Sequence, residues 1–139
     1  MQVQPYIFFP GCCEEAIAFY RQALGAEVLM KLHFKDAPPN PDCPPAPDSA
    51  DKIMHATLKI GDSNVMMSDG DGKEGATHTG YHLSIASNDL AAGERYFQAL
   101  SLGGRVNMPF QATFWALGFG MVIDRFGIPW MINVPRPTV

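Results

Sequence analysis

The stretch Phe114 to Val134, FWALGFGMVIDRFGIPWMINV, constrains the fold more than any other part of the chain. Its 21 residues are largely apolar, yet Asp124, Arg125, three glycines and Pro129 are incompatible with a membrane span. Past the turn it alternates, with Ile128, Trp130 and Ile132 on one face and Pro129, Met131 and Asn133 on the other. Asp124-Arg125-Phe126-Gly127 supplies a turn in which Gly127 is free to take positive φ. The segment therefore reads as a closing β-hairpin.

At 139 residues the chain is long enough for one domain with a real core. An apolar content of 47% with 17% charged residues argues against global disorder. A formal charge of −4 without a Lys/Arg run makes nucleic acid a poor partner. The N-terminal MQVQPYIFFPG lacks the basic region and long apolar core of a signal peptide. Three cysteines, two of them adjacent at Cys12 and Cys13, form neither a disulfide framework nor a zinc spacing. A reducing, cytoplasmic location is the expectation.

Residues 3–9 read as a strand in which Pro5 argues for an edge or a strand start. A helix follows: Glu14 and Glu15 suit its positive end, Gly25 is a natural stop, and Ala16, Ile17, Phe19, Tyr20, Ala23 and Leu24 form an apolar stripe. Residues 27–35 alternate, with Val28, Met30, Leu32 and Phe34 opposed to Glu27, Lys31, His33 and Lys35. Six prolines in residues 36–50 predict an exposed loop of polyproline character. Strands at 52–60 and 65–69 flank Gly61-Asp62-Ser63-Asn64, and the polar, Gly-rich 70–80 reads as a linker. The pattern then restarts: a strand at 82–86, a helix from about 89 to 102 capped by Asn88 or Asp89, and strands near 105–112, 117–124 and 128–134. FYRQAL at 19–24 against YFQAL at 96–100 suggests an internal duplication.

PYIFFPGCCEEAIAFYRQALGAEV, HATLKIGDSNVMMSD and the closing FWALGFGMVIDRFGIPWMINV together resemble the PhnB/YjdN-like group of the vicinal oxygen chelate superfamily, which includes glyoxalase I, bleomycin- and fosfomycin-resistance proteins and extradiol dioxygenases. The resemblance implies an α+β fold of two βαβββ modules, about 1–70 and 80–139, forming an open eight-stranded barrel-like sheet around a ligand cavity. It also implies a homodimer in which modules of two chains can complete each site. Metal-using relatives take ligands from the first and last strand of each module. Carried over, those positions are Pro5 or a residue beside it, Met66, His82 and Met131. A proline has no side-chain donor and a thioether suits Cu(I) rather than Zn²⁺, Ni²⁺ or Mn²⁺, so no catalytic metal or other cofactor is expected; His82 is the one position able to contribute to such a site.

Pro5, Ile7, Met66, Ser84, Phe114, Trp115 and Met131 are then the expected lining of a mostly apolar cavity. His55 and His82 are the candidate acid/base groups, because histidine titrates near neutrality; the alternative for His55 is a rim or core histidine bonded to the backbone. Phe114, Trp115, Phe119 and Trp130 either line the pocket or pack the core. Relatives often carry arginine and tyrosine after the FW pair, where this chain has Gly118 and Phe119, which argues against an anionic ligand. Cys12 and Cys13 precede a helix but have no neighbouring base, and read as structural or incidental thiols. Members of the group also carry a 3-demethylubiquinone methyltransferase label, but the chain has no glycine motif for S-adenosylmethionine. The expected function is binding of a small, mostly apolar molecule, with metal-free histidine acid/base chemistry as the simplest reaction. A metal-dependent lyase, isomerase or dioxygenase and a drug- or metabolite-sequestering protein are the alternatives.

Overall fold

The computed structural model describes residues 1–38, 42, 49–70 and 77–137. Most of the proline-rich loop and of the glycine-rich linker read from the sequence lies outside them. The chain divides into two compact units, Met1–Ala76 and Thr77–Val139.

The first unit contains β1 (Tyr6–Phe8), α1 (Cys13–Leu24), β2 (Glu27–His33), a short 3₁₀ turn (Phe34–Asp36), β3 (Ile53–Ile60) and β4 (Ser63–Ser68). The second contains β5 (Leu83–Ala86), α2 (Leu90–Ser101), β6 (Arg105–Gln111), β7 (Ala116–Ile123) and β8 (Pro129–Pro135). Each unit forms one four-stranded sheet, in the order β1-β4-β3-β2 and β5-β8-β7-β6. In both, the first strand runs parallel to the last and the remaining pairs are antiparallel. The shared strand order is what a duplicated βαβββ module dictates.

In the first unit Ile7, Phe9, Ala56, Leu58, Val65 and Met67 are buried, together with Cys13, Ala16, Ile17 and Tyr20 of α1. Gly25 closes α1 in the left-handed conformation, its N–H bonded to the Arg21 carbonyl. The other end of α1 has no side-chain cap of its own. Asp69, at the end of β4, takes that role: one carboxylate oxygen accepts the Cys13 N–H at 2.9 Å and the other the Ile53 N–H at 2.9 Å. One buried acid thus ties helix, β3 and β4 together.

Strand β2 departs from the alternation read in the sequence. A register shift between Val28 and Met30, and another between Leu32 and His33, break its period. Met30 and Leu32 consequently stand opposite Thr57 and His55, while Lys31 turns to pair with Glu14 of α1 at 2.7 Å. Phe34 does not extend the strand but enters the 3₁₀ turn. Strand β1 is shorter than 3–9, and Pro5 contributes its carbonyl to the Met66 N–H ahead of the first paired residue.

In the second unit Asp89 caps α2, accepting from the N–H groups of Ala91 and Ala92. The helix lies close on the sheet because small residues meet there. A Cβ on Gly93 would stand 2.6 Å from Val134, and one on Gly120 2.6 Å from Phe97 and 3.0 Å from the Phe110 backbone. Ile132, Val134, Val122, Phe97 and Leu100 complete this core. The β7–β8 turn is held by Asp124, which is buried: Oδ1 accepts from the Phe126 and Ile128 N–H groups and Oδ2 from the Trp130 indole at 2.9 Å. Trp130 is therefore a core residue anchored through its polar edge.

The thiols at the start of α1 are held in their protonated, less nucleophilic form in this setting. Burial, reinforced by the nearby Asp69 carboxylate, raises the Cys13 thiol far above its ordinary range, and the same two causes raise Cys12. A raised thiol pKa means less thiolate at any given pH. Site-resolved iodoacetamide labelling of the folded protein at pH 8 is expected to leave Cys13 unmodified and to modify Cys12 more slowly than a free thiol; equal rates at both would contradict this. Gly120→Ala, which forces a methyl against Phe97 and Phe110 backbone, is expected to cost about 1–3 kcal/mol in urea unfolding. Asp124→Ala, which removes a charged acceptor from three donors, is expected to cost about 3 kcal/mol or more. A loss below about 0.5 kcal/mol in either variant would refute the corresponding packing or turn argument.

Candidate functional site

Among the described residues, each unit places its α-helix on one face of its own sheet and none of its own on the other. In the first unit the register sets Tyr6 beside Met66, Met66 beside Thr57 and Thr57 beside Met30. Directly opposed residues share a face, so these four lie together on the side away from the buried Ile7, Ala56 and Met67. Phe8, Leu32 and His55 follow on the same side by alternation and pairing. Tyr6 is 40% and Phe8 50% exposed, so this face is open.

A hydrogen-bonded chain crosses it. The Tyr6 hydroxyl lies 3.0 Å from His55 Nδ1, and His55 Nε2 lies 3.0 Å from Thr57 Oγ1. The Tyr6 ring also packs against His55, with centroids 5.5 Å apart, and against Phe8 at 5.0 Å. Burial raises the Tyr6 phenol above its ordinary range, a hydrogen bond with the Ser68 hydroxyl partly offsetting this, so the phenol is protonated at neutral pH. His55 is thus neither a core residue nor bonded to the backbone; its partners are two side-chain hydroxyls.

In the second unit the corresponding face carries Phe119, Met121 and Met131, with Ser84 opposite Met131 and Asn133 opposite Phe119. Ser84 is exposed, and Met131 is half-buried. Phe114 and Trp115 precede β7, are 90% and 45% exposed, and continue edge-to-face onto Phe119 at 4.8 Å and 5.4 Å. His82 immediately precedes β5; its Nε2 is buried and has no hydrogen-bond partner, as is Asn133 Oδ1.

The sequence-predicted residues sort accordingly. His55 and Met66 share the first unit's open face; Ser84 and Met131 are neighbours on the second's, with Phe114 and Trp115 nearby. Ile7 does not belong with them. It is 3% exposed and packs on the helix-covered side, because β1 presents Tyr6 and Phe8 outward. Pro5 falls by the same alternation on the side of Ile7, which leaves Gln4 and Tyr6 as the outward positions. Parallel registers make the correction explicit: Tyr6 pairs with Met66 as Ser84 pairs with Met131, so His82, just before β5, has its counterpart at Gln4, just before β1, rather than at Pro5. Tyr6 and Thr57 were missed by the sequence reading. Thr57 stands two residues from His55 and shares its parity, so its signal was available, whereas Tyr6 lies one residue from Pro5 and Ile7 and so on the opposite face.

In neither unit do the donors at these positions fit a divalent metal ion. The first unit supplies a thioether at Met66 and a neutral amide at Gln4, the second a thioether at Met131 and one imidazole at His82. Among the described residues, no three His, Cys, Asp or Glu side chains gather in one place. Hard and borderline ions require nitrogen, thiolate or charged oxygen donors that these positions lack. A hollow of about 400 Å³ lined by Ala18, Arg21, Gln22, Gly25 and Ala26 flanks the end of α1, and none of the candidate site residues lines it.

Comparison with known proteins agrees with this architecture. Residues 3–132 match the family model of the Glyoxalase/Bleomycin resistance protein/Dioxygenase superfamily. The chain is 42% identical to the YjdN protein of Escherichia coli K12, over 98% of its own length and 97% of that protein's. Among solved structures, PA1353 of Pseudomonas aeruginosa is 41% identical with a TM-score of 0.84, covering 96% of each chain. A PhnB protein of Bacillus cereus, 19% identical over 96% of this chain and 98% of its own, shares the fold with a TM-score of 0.76. With its two topologically matching βαβββ units, the chain belongs to the glyoxalase/bleomycin resistance/dioxygenase superfamily and to its PhnB/YjdN-like group.

Proposed function

We propose that the chain is a small-molecule-binding protein of the glyoxalase/bleomycin-resistance type that takes a mostly apolar ligand without a catalytic metal. The observation that carries this reading is the open face of the first unit, where the Tyr6–His55–Thr57 chain is surrounded by Phe8, Met30 and Met66. Apolar side chains supply most of the contact area on such a surface, and a few placed polar groups fix orientation. Methionine adds adaptability, because its unbranched thioether fills irregular shapes. His55 is the polar anchor. Were the protein to catalyse a reaction, proton transfer through His55 is the chemistry this face supports. Without turnover, the same face serves sequestration, as the bleomycin-resistance branch of the superfamily name suggests. The reading places the protein in the cytoplasm as a homodimer, in line with its unpaired Cys12 and Cys13. No helix among the described residues is long and apolar enough to cross a membrane.

One observation favours the alternative of a metal-dependent lyase, isomerase or dioxygenase: the buried, unpartnered Nε2 of His82, which a ligand atom or an ion would satisfy. Calorimetric titration with Zn²⁺, Ni²⁺ and Mn²⁺ separates the two readings. No micromolar binding is expected; micromolar affinity abolished by His82→Ala would establish the alternative. Binding itself is checked by methyl NMR of ¹³C-methionine-labelled protein against a panel of small aromatic and aliphatic molecules. Saturable shifts of the Met66 or Met131 methyl are expected, and a panel that moves neither would overturn the proposal.

A further inference from the structure

We infer that the open face of the first unit recognises a hydroxylated aromatic molecule, whose hydroxyl donates a hydrogen bond to the Tyr6 oxygen; this rests on the small-molecule reading above. The argument is one of donor and acceptor supply. A neutral imidazole has one N–H donor and one acceptor nitrogen. His55 places Nδ1 on the Tyr6 hydroxyl and Nε2 on the Thr57 hydroxyl, both at 3.0 Å. Of those two hydroxyls the phenol is much the stronger acid, and so the better donor to a bare imidazole nitrogen. The chain therefore runs in one direction: Tyr6 O–H donates to Nδ1, and Nε2–H donates to Thr57 Oγ1.

This direction fixes what the face asks of a ligand. The single proton of the Tyr6 hydroxyl is spent on His55, so toward solvent its oxygen can only accept. Ser68 is its inner neighbour, and Tyr6 is open on its other side. A ligand that offers only a carbonyl or an ether oxygen has no donor to meet it, whereas a phenol or other aromatic alcohol does. The surroundings select the rest of the molecule. Tyr6 and Phe8 present tilted rings with centroids 5.0 Å apart, and Met66 stands beside Tyr6 across the β1–β4 pair. Rings and a thioether favour an aromatic body.

The test uses the full chain with ¹³C-methyl methionine at neutral pH and two probes of similar shape, 4-ethylphenol and 4-ethylanisole, which differ in the hydroxyl proton. Both are expected to shift the Met66 methyl saturably, 4-ethylphenol with at least a tenfold lower Kd. Tyr6→Phe, which keeps the ring, is expected to bring the two probes within twofold of each other, with the methionine spectrum otherwise preserved. Long-range ¹H–¹⁵N spectra are expected to show His55 protonated at Nε2. Equal affinities in the unmodified protein, a preference that survives Tyr6→Phe, or a proton on Nδ1 would each overturn the donor argument while leaving small-molecule binding intact. If neither probe moves Met66, this face is not a binding surface for such molecules, and the inference falls together with the reading beneath it.

Discussion

A single helix cannot cover both sides of a four-stranded sheet, and among the described residues each unit has one α-helix. That constraint organises everything else in the molecule. The covered face must then hold the unit together, and it does so by close approach: Gly93 on α2 meets Val134, and Gly120 on β7 meets Phe97, at distances no side chain would allow. In the first unit α1 supplies Ala16, Ile17 and Tyr20 against Ile7, Leu58 and Met67. Burial on this face provides the hydrophobic driving force, and the other face contributes little to it.

Two buried carboxylates complete the framework, and both accept hydrogen bonds from N–H donors. Asp69 joins the first turn of α1 to the beginning of β3, and Asp124 joins the β7–β8 turn to the Trp130 indole. Each acid accepts from backbone N–H groups that would otherwise be orphaned at a helix start or in a turn. Charge-assisted bonds of this kind are stronger than neutral ones, which is how an ionised group is tolerated inside a small unit.

Most of the architecture could be read from the residues. The glycine stop of α1, the Asp89 cap, the Asp124–Gly127 turn and the repeat of strand and helix signals each have a local cause, and local causes are visible in sequence. The alternation of β2 was misread because its bulges follow from the registry of the paired strand, which periodicity within β2 does not encode. The candidate site was partly legible for a similar reason. Met66, Met131, His55 and Ser84 follow from strand parity, whereas placing Pro5 rather than Gln4 or Tyr6 was an error of one residue, and one residue reverses a face. The Tyr6–His55 contact joins positions 49 residues apart, so nothing local announces it. Asp69 appeared in sequence merely as the end of a strand; its two N–H partners come from elsewhere in the chain.

The bulges of β2 carry a consequence for how such a protein changes over generations. By turning Lys31 toward α1 and leaving Met30 outward, they separate residues that maintain the framework from residues that meet the surroundings. Substitutions at Met30 or Met66 change the outward side of the sheet while the residues beneath keep their neighbours. A scaffold divided in this way can acquire new specificities by drift across one side of a sheet, without having to rebuild its interior.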